Sequence, residues 1–228
     1  MKLLSKIAMT AALATMVAVS VNVHAAKGKG GGGSTGLDSK EASHLTFMRE
    51  EEKLARDVYL TLANMYPNQT VFNTIATRSE QTHTDTMRDK LVQYNLPDPN
   101  PETNNLPGSL GVFMGDEWGW YFSEKFNQLT AMGAESELSA LYVGAFIEEL
   151  DMHDISVCPQ VMQDNGYSSP CGLEYTDERG LKNSYSSLID GSENHLRAYV
   201  GQIEAVIGSG NYQAQYLSQK EVDTILGR

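Results

Sequence analysis

The chain of 228 residues is 41% hydrophobic and 20% charged, enough apolar material to bury a sizeable core in one domain. Its formal net charge of −12 excludes the broad basic face that nucleic acid or an anionic membrane surface demands. With two cysteines and no CxxC pair, a cysteine-rich metal site is excluded as well.

Residues 1–25 have the layout of a secretory signal peptide. Lys2 and Lys6 open it, an apolar stretch covers 7–21, and Val23-His24-Ala25 offers a small-residue cleavage site before Ala26. The apolar part is short for a membrane span, and a retained N-terminal anchor is the competing reading. Residues 26–41, with Gly30 to Gly33 at their centre, read as a flexible linker ahead of a folded domain over 42–228.

The first long helix is predicted over 42–65, where Leu45, Met48, Glu52, Ala55, Tyr59 and Leu62 recur at helical spacing, and Tyr66-Pro67-Asn68 ends it. The second runs over 69–95 with Phe72, Ile75, Ala76, Glu80, His83, Met87, Leu91 and Tyr94 on one face. Residues 96–115, rich in Pro, Asn and Gly, read as a long crossover, and a shorter helix follows at 117–132. The third long helix spans 136–157, with Leu141, Gly144, Ile147, Glu148, Asp151 and Ile155 on its stripe.

A loop to about residue 175 carries Cys158 and Cys171, 13 positions apart and flanked by Pro159, Pro170 and Gly172. Export would place them where disulfides persist, and a disulfide stapling this loop is worth ~2–3 kcal/mol; two unpaired thiols are the alternative. The fourth long helix covers 177–208 with Leu188, Ser192, His195, Tyr199 and Ile203 aligned, although Gly191 weakens it. A last short helix is placed at 218–227. The fold class is therefore all-α, a four-helix bundle with its long crossover between the second and third long helices.

Each of the four helices aims acid or imidazole groups into an apolar stripe. A buried, unpaired carboxylate costs several kcal/mol, so one shared cation at the bundle centre explains all four at once. Glu80 and His83, at i and i+3, reach a single ion from one helix face. Each element also has a plainer reading. Glu50-Glu51-Glu52 with Lys53 and Arg56 taken alone describes a solvated face with i,i+4 pairs. Glu148, Glu149 and Asp151 read as helix-surface acids, and His195 as a hydrogen-bonded histidine.

Met48-Arg-Glu-Glu-Glu-Lys-Leu-Ala-Arg-Asp-Val-Tyr59, Ser79-Glu-Gln-Thr-His83, Gly144-Ala-Phe-Ile-Glu-Glu-Leu-Asp151 and Gly191-Ser-Glu-Asn-His-Leu-Arg197 together resemble the DUF2202 family of ferritin-like proteins over residues 42–227. A more distant similarity is to rubrerythrin-type di-iron proteins, whose first helix has a Glu with Ala at +3 and Tyr at +7, as in Glu52, Ala55 and Tyr59. The resemblance implies Glu52, Glu80, His83, Glu148 and His195 as metal ligands, with Asp151 as a second carboxylate from the third helix. Iron, as two ions, is the implied metal, and manganese and zinc suit the same donors. Ser192 departs from the pattern, since a di-iron site expects a bridging Glu there; Glu193, one residue on, points roughly 100° away.

The implied activity is oxidase, peroxidase or metal handling with O2 or peroxide in an exported, periplasmic or secreted protein. The competing reading is a non-catalytic bundle whose polar core is a hydrogen-bond network serving binding or stress protection.

Overall fold

A computed structural model describes residues 36–228; the expected signal peptide and most of the expected linker lie outside the described residues. Helix α1 (Ser39–Met65) begins before position 42 because Asp38 caps it. The Asp38 carboxylate accepts the N–H groups of Lys40 and Glu41, and Glu41 accepts the Asp38 N–H in return.

The second column is not the uniform helix that its spacing predicts. It runs as α2 (Thr70–Thr74), a π-helical segment (Ile75–Glu80) and α3 (Gln81–Gln93). Here the Gln81 N–H reaches the Ala76 carbonyl, five residues back. A π turn holds an extra residue, so it rotates everything after it relative to an ideal helix, and such turns concentrate at functional sites.

After the crossover come α4 (Gly119–Gly133) and α5 (Glu137–Ser156), the latter capped by Ser136. A short helix not expected from the sequence, α6 (Gln160–Asp164), lies in the cysteine loop, where Cys158 and Cys171 are joined as a disulfide. Helix α7 (Arg179–Ile207) passes unbroken through Gly191 and stops at Gly208, whose φ of 96° suits glycine. Helix α8 (Gln219–Leu226) closes the chain. Among the described residues there is no strand, and no helix is long and apolar enough to cross a membrane.

Helix α5 lies along α7, and α1 lies along α3 and the π segment; α1 also meets α5, and α3 meets α7. These four columns make an all-α bundle. Helix α4 packs over α1 and α5, where Phe47 meets Trp118 and Phe122 at ring separations of 5.6 and 4.9 Å.

The result is that α1 is buried on every side from Phe47 to Tyr59. The solvated face expected for Glu50, Lys53 and Arg56 does not exist, because the crossover lies on it. Arg49 holds Asp98 through two nitrogens at 3.1 and 3.0 Å and donates to the Asn100 carbonyl and Thr103 hydroxyl. Asp57 accepts from Lys53, from two Arg56 nitrogens and from the Gly111 N–H, while Lys53 and Arg56 also donate to the carbonyls of Ser109 and Thr103.

Glu149 is likewise no surface acid. It accepts the Tyr212 hydroxyl and the N–H groups of Gln215, Tyr216 and Leu217 at 2.6–2.9 Å, which ties the C-terminal segment to α5.

Candidate metal centre

The remaining polar residues of the bundle interior meet where its four columns face one another. Glu52 comes from α1, Glu80 from the last position of the π segment, His83 from α3, Glu148 from α5 and His195 from α7. They form two groups, Glu52–Glu80–His83 and Glu80–Glu148–His195, in each of which one donor atom per residue lies within 4.8 Å of the others.

Glu80 belongs to both groups, and its two oxygens divide between them. Oε2 is 3.4 Å from His83 Nδ1, and Oε1 is 2.8 Å from His195 Nδ1. Glu52 Oε2 completes one side at 3.3 Å from His83 Nδ1; Glu148 Oε2 completes the other at 3.3 Å from His195 Nδ1. The two imidazole rings lie 5.4 Å apart, tilted by 31°.

These separations are short, yet most are not hydrogen bonds. His83 Nδ1, Glu52 Oε1 and Glu80 Oε1 are buried without a hydrogen-bond partner. Their neighbours lie off the direction in which an N–H or a carboxyl O–H would point. Buried polar atoms are ordinarily paired, and imidazole nitrogens and carboxylate oxygens converging in this way are the donor set that divalent first-row metals accept. The residues present therefore fit a metal ion, with Glu80 shared by both groups.

Electrostatics without an ion agree with this geometry. Burial pushes the Glu52 carboxyl up to about 7, with Glu80 and Glu148 adding to the rise against the opposing pull of His83. Burial also raises Glu80, but His83 and His195 outweigh it and hold that carboxyl well below the usual range. Burial lowers both imidazoles, but the carboxylates win: Glu80 and Glu52 lift His83 to about 12, and Glu148 and Glu80 lift His195 to about 10. Protons thus stand where ions would, and ion binding would release them.

Around this centre, Tyr59 donates to Glu148 Oε1 at 2.6 Å and so fixes the carboxylate that faces His195. Gly191 is required by packing, since a β-carbon there would lie 2.5 Å from His83 Nε2. A β-carbon on Gly144 would lie 2.5 Å from the Tyr199 ring, which packs tilted against Tyr59 with ring centres 5.3 Å apart.

Of the six residues named from the sequence, five are brought together. Asp151 stands beside the centre rather than in either group, with Oδ2 accepting from Ser192 Oγ at 2.6 Å and Oδ1 without a partner. Ser192 stands where the resemblance expects a Glu on α7, and Glu80 is the carboxylate shared by the two groups. Glu193 turns away to pair with Arg197. Glu51, read from the sequence as part of a solvated face, is buried, and so is Asp154, which the sequence reading did not name.

Residues 41–228 match the DUF2202 family, described as an uncharacterized protein domain. Uncharacterized protein MJ0754 of Methanocaldococcus jannaschii is 38% identical over 190 residues, covering 83% of this chain and 88% of that protein. The crystal structure of hypothetical protein MJ0754 superposes with a TM-score of 0.69, covering 84% of this chain and 94% of that one. A match across nearly all of the described bundle, with a relative of such identity, means that the chain belongs to the DUF2202 family.

Proposed function

We propose that this protein is an exported, ferritin-like metalloprotein with a two-iron carboxylate centre used in oxidase, peroxidase or metal-handling chemistry. The observation that carries the reading is Glu80, whose two oxygens serve two separate carboxylate–histidine groups. Glu52 and His83 would hold one ion, Glu148 and His195 the other, and Glu80 would bridge them. Two irons in such a centre supply the one-electron changes needed to reduce O2 or peroxide.

The chain's own residues do the rest. Tyr59 orients Glu148 by its hydrogen bond, and Phe72, Met87 and Tyr199 are fully buried in the bundle interior. Asp151 accepts the Ser192 hydroxyl beside the centre, and burial raises its carboxyl. The disulfide and the apolar leader of residues 7–21 support export.

Elemental analysis of the full chain after anaerobic loading with Fe2+ tests this reading, with Glu80→Gln alongside. Two ions per chain in the wild type, both lost or greatly weakened in Glu80→Gln, are expected. Equal metal content in the two proteins would overturn it and leave the polar core as a structural network.

A further inference from the structure

Three of the four seams between neighbouring columns are covered. Helix α4 lies over the seam between α1 and α5. The crossover closes the one between α1 and α3, where Arg56 donates to the Thr103 carbonyl and Gln81 to Asn104. The C-terminal segment spans α5 and α7, held by Glu149 on the first and by Arg197, which donates to the Ile225 carbonyl, on the second. Among the described residues no other segment bonds to both α3 and α7 between their ends, and these two make the sparsest contact of the neighbouring columns.

That bare seam runs past the candidate centre. Gly180 sits against the Tyr94 hydroxyl, Gly191 against His83 and Tyr199 against Phe72, which sets its register. His83 and His195 keep 9% and 7% of their side chains exposed, against 1–2% for Glu52, Glu80 and Glu148. The centre therefore meets solvent at its imidazole edges. Gly191 puts backbone, not a side chain, against His83 Nε2; a β-carbon there would lie 2.5 Å from it. About one turn to either side, Ser79 and Thr86 flank His83, and Ser187 and Asn194 flank Gly191. All four are uncharged and half-buried or exposed. Thr86 and Asn194 bond back to carbonyls of their own helix, not across the seam.

We infer that the α3–α7 seam at Gly191 is the mouth of the centre, and that it admits small uncharged oxidants, hydrogen peroxide or O2, in preference to anions and bulky hydroperoxides. None of the four flanking residues carries a positive charge to draw an anion, and the net charge of −12 repels one. An opening that bares less than a tenth of each imidazole passes a molecule the size of water or peroxide, not an aryl hydroperoxide. The substrate role rests on the iron reading above; the opening does not.

Nitrogen-15 NMR of the metal-free full chain tests the opening through exchange of the His83 Nε2–H with water. Side chains on a helix lean toward its N-terminus, so Asn194→Trp lays its indole over Gly191. That variant should slow the exchange by on the order of tenfold or more, whereas Ser186→Trp, at an exposed position off the seam, should not. Equal exchange in wild type and Asn194→Trp would overturn the inference whether or not the chain binds iron. After Fe2+ loading, hydrogen peroxide should oxidise the iron at least ~tenfold faster than cumene hydroperoxide, and Asn194→Trp should slow the peroxide reaction at unchanged iron content. Equal rates for the two oxidants would sink the size selection. A chain that takes up no iron would refute the proposed function, and the exchange result alone would then decide the opening.

Discussion

Helix α1 presents two buried polar systems, one toward the crossover and one toward the bundle centre, and they are built on different rules. Toward the crossover, Arg49, Lys53, Arg56 and Asp57 meet partners of opposite charge with hydrogen-bond geometry; Asp57 alone accepts four donors. Toward the bundle centre, Glu52, Glu80, Glu148 and Asp151 gather with two histidines as their cationic partners, and several of their atoms have no hydrogen-bond partner. Among the four residues of the first system only Arg49 Nη1 lacks a partner, whereas the second leaves Glu52 Oε1, Glu80 Oε1, His83 Nδ1 and Asp151 Oδ1 without one. Buried charge alone does not mark a site, therefore; unsatisfied convergence does.

The contrast is broken most forcefully at Asp57. Asp57→Ala strands Lys53 and two nitrogens of Arg56 in the interior and releases the Gly111 N–H. Removing one partner of a buried pair destabilises by ~3–5 kcal/mol. Urea unfolding of the metal-free variant should show a loss of that size; a loss below about 1 kcal/mol would mean that the crossover is not held by this network.

His44 sharpens the comparison with a group that is satisfied yet neutral. One ring nitrogen lies 2.7 Å from the Tyr185 hydroxyl and the other 2.8 Å from the Asp154 carbonyl, and burial pulls the imidazole down to about 4. Above the ordinary value of 6.5, this group makes no pH-dependent contribution. As pH falls from about 6.5 to about 4 the unfolded chain binds the proton and the folded one resists it, so stability is lost, up to ~3 kcal/mol. His44→Gln should flatten that part of the stability–pH curve. Parallel curves for variant and wild type between pH 7 and 4.5 would contradict it.

The four columns were legible because apolar spacing survives in them, and the five converging donors were legible because acids and imidazoles interrupt that spacing. Other features were not legible, each for a physical reason. A π turn leaves no mark in a periodicity search, since Phe72, Ile75, Ala76, Glu80 and His83 are compatible with one face of an ordinary helix. Local spacing shows what a residue can reach on its own helix, not what covers it, so Lys53 and Arg56 passed for solvated residues until the crossover was seen to lie on them. Gly191 read as a helix weakness because its reason for being glycine, the ring of His83, lies on another helix. At Ser192 the family resemblance pointed to an expected Glu, but that Glu80 lies between the two histidines depends on tertiary geometry.

Gly191→Ala tests whether the centre is shaped by packing as well as by ligands. The added methyl collides with His83 Nε2 while the helix gains ~1 kcal/mol of propensity, so the two effects largely cancel in the metal-free protein. Thermal unfolding should therefore move little, whereas binding on the Glu52–His83 side should fall by on the order of 10–100-fold. Undiminished Fe2+ or Mn2+ affinity in the alanine variant would show that His83 is free to move aside and still ligate.

The smallest effect on stability is expected at Glu52→Gln, which nevertheless weakens metal binding. In the metal-free protein the substitution removes a carboxylate whose ionised form burial and its acidic neighbours disfavour, and it also removes a partner of His83; these changes oppose each other. Stability without metal should stay near that of the wild type. Stabilisation by added metal, ~2.7 kcal/mol at a free concentration of 100 times Kd, should shrink markedly because one ion loses a ligand. If Glu52→Gln instead unfolded the metal-free protein as Asp57→Ala is expected to, the two faces of α1 would be the same kind of network. The case for a centre completed by metal would then rest on Glu80 alone.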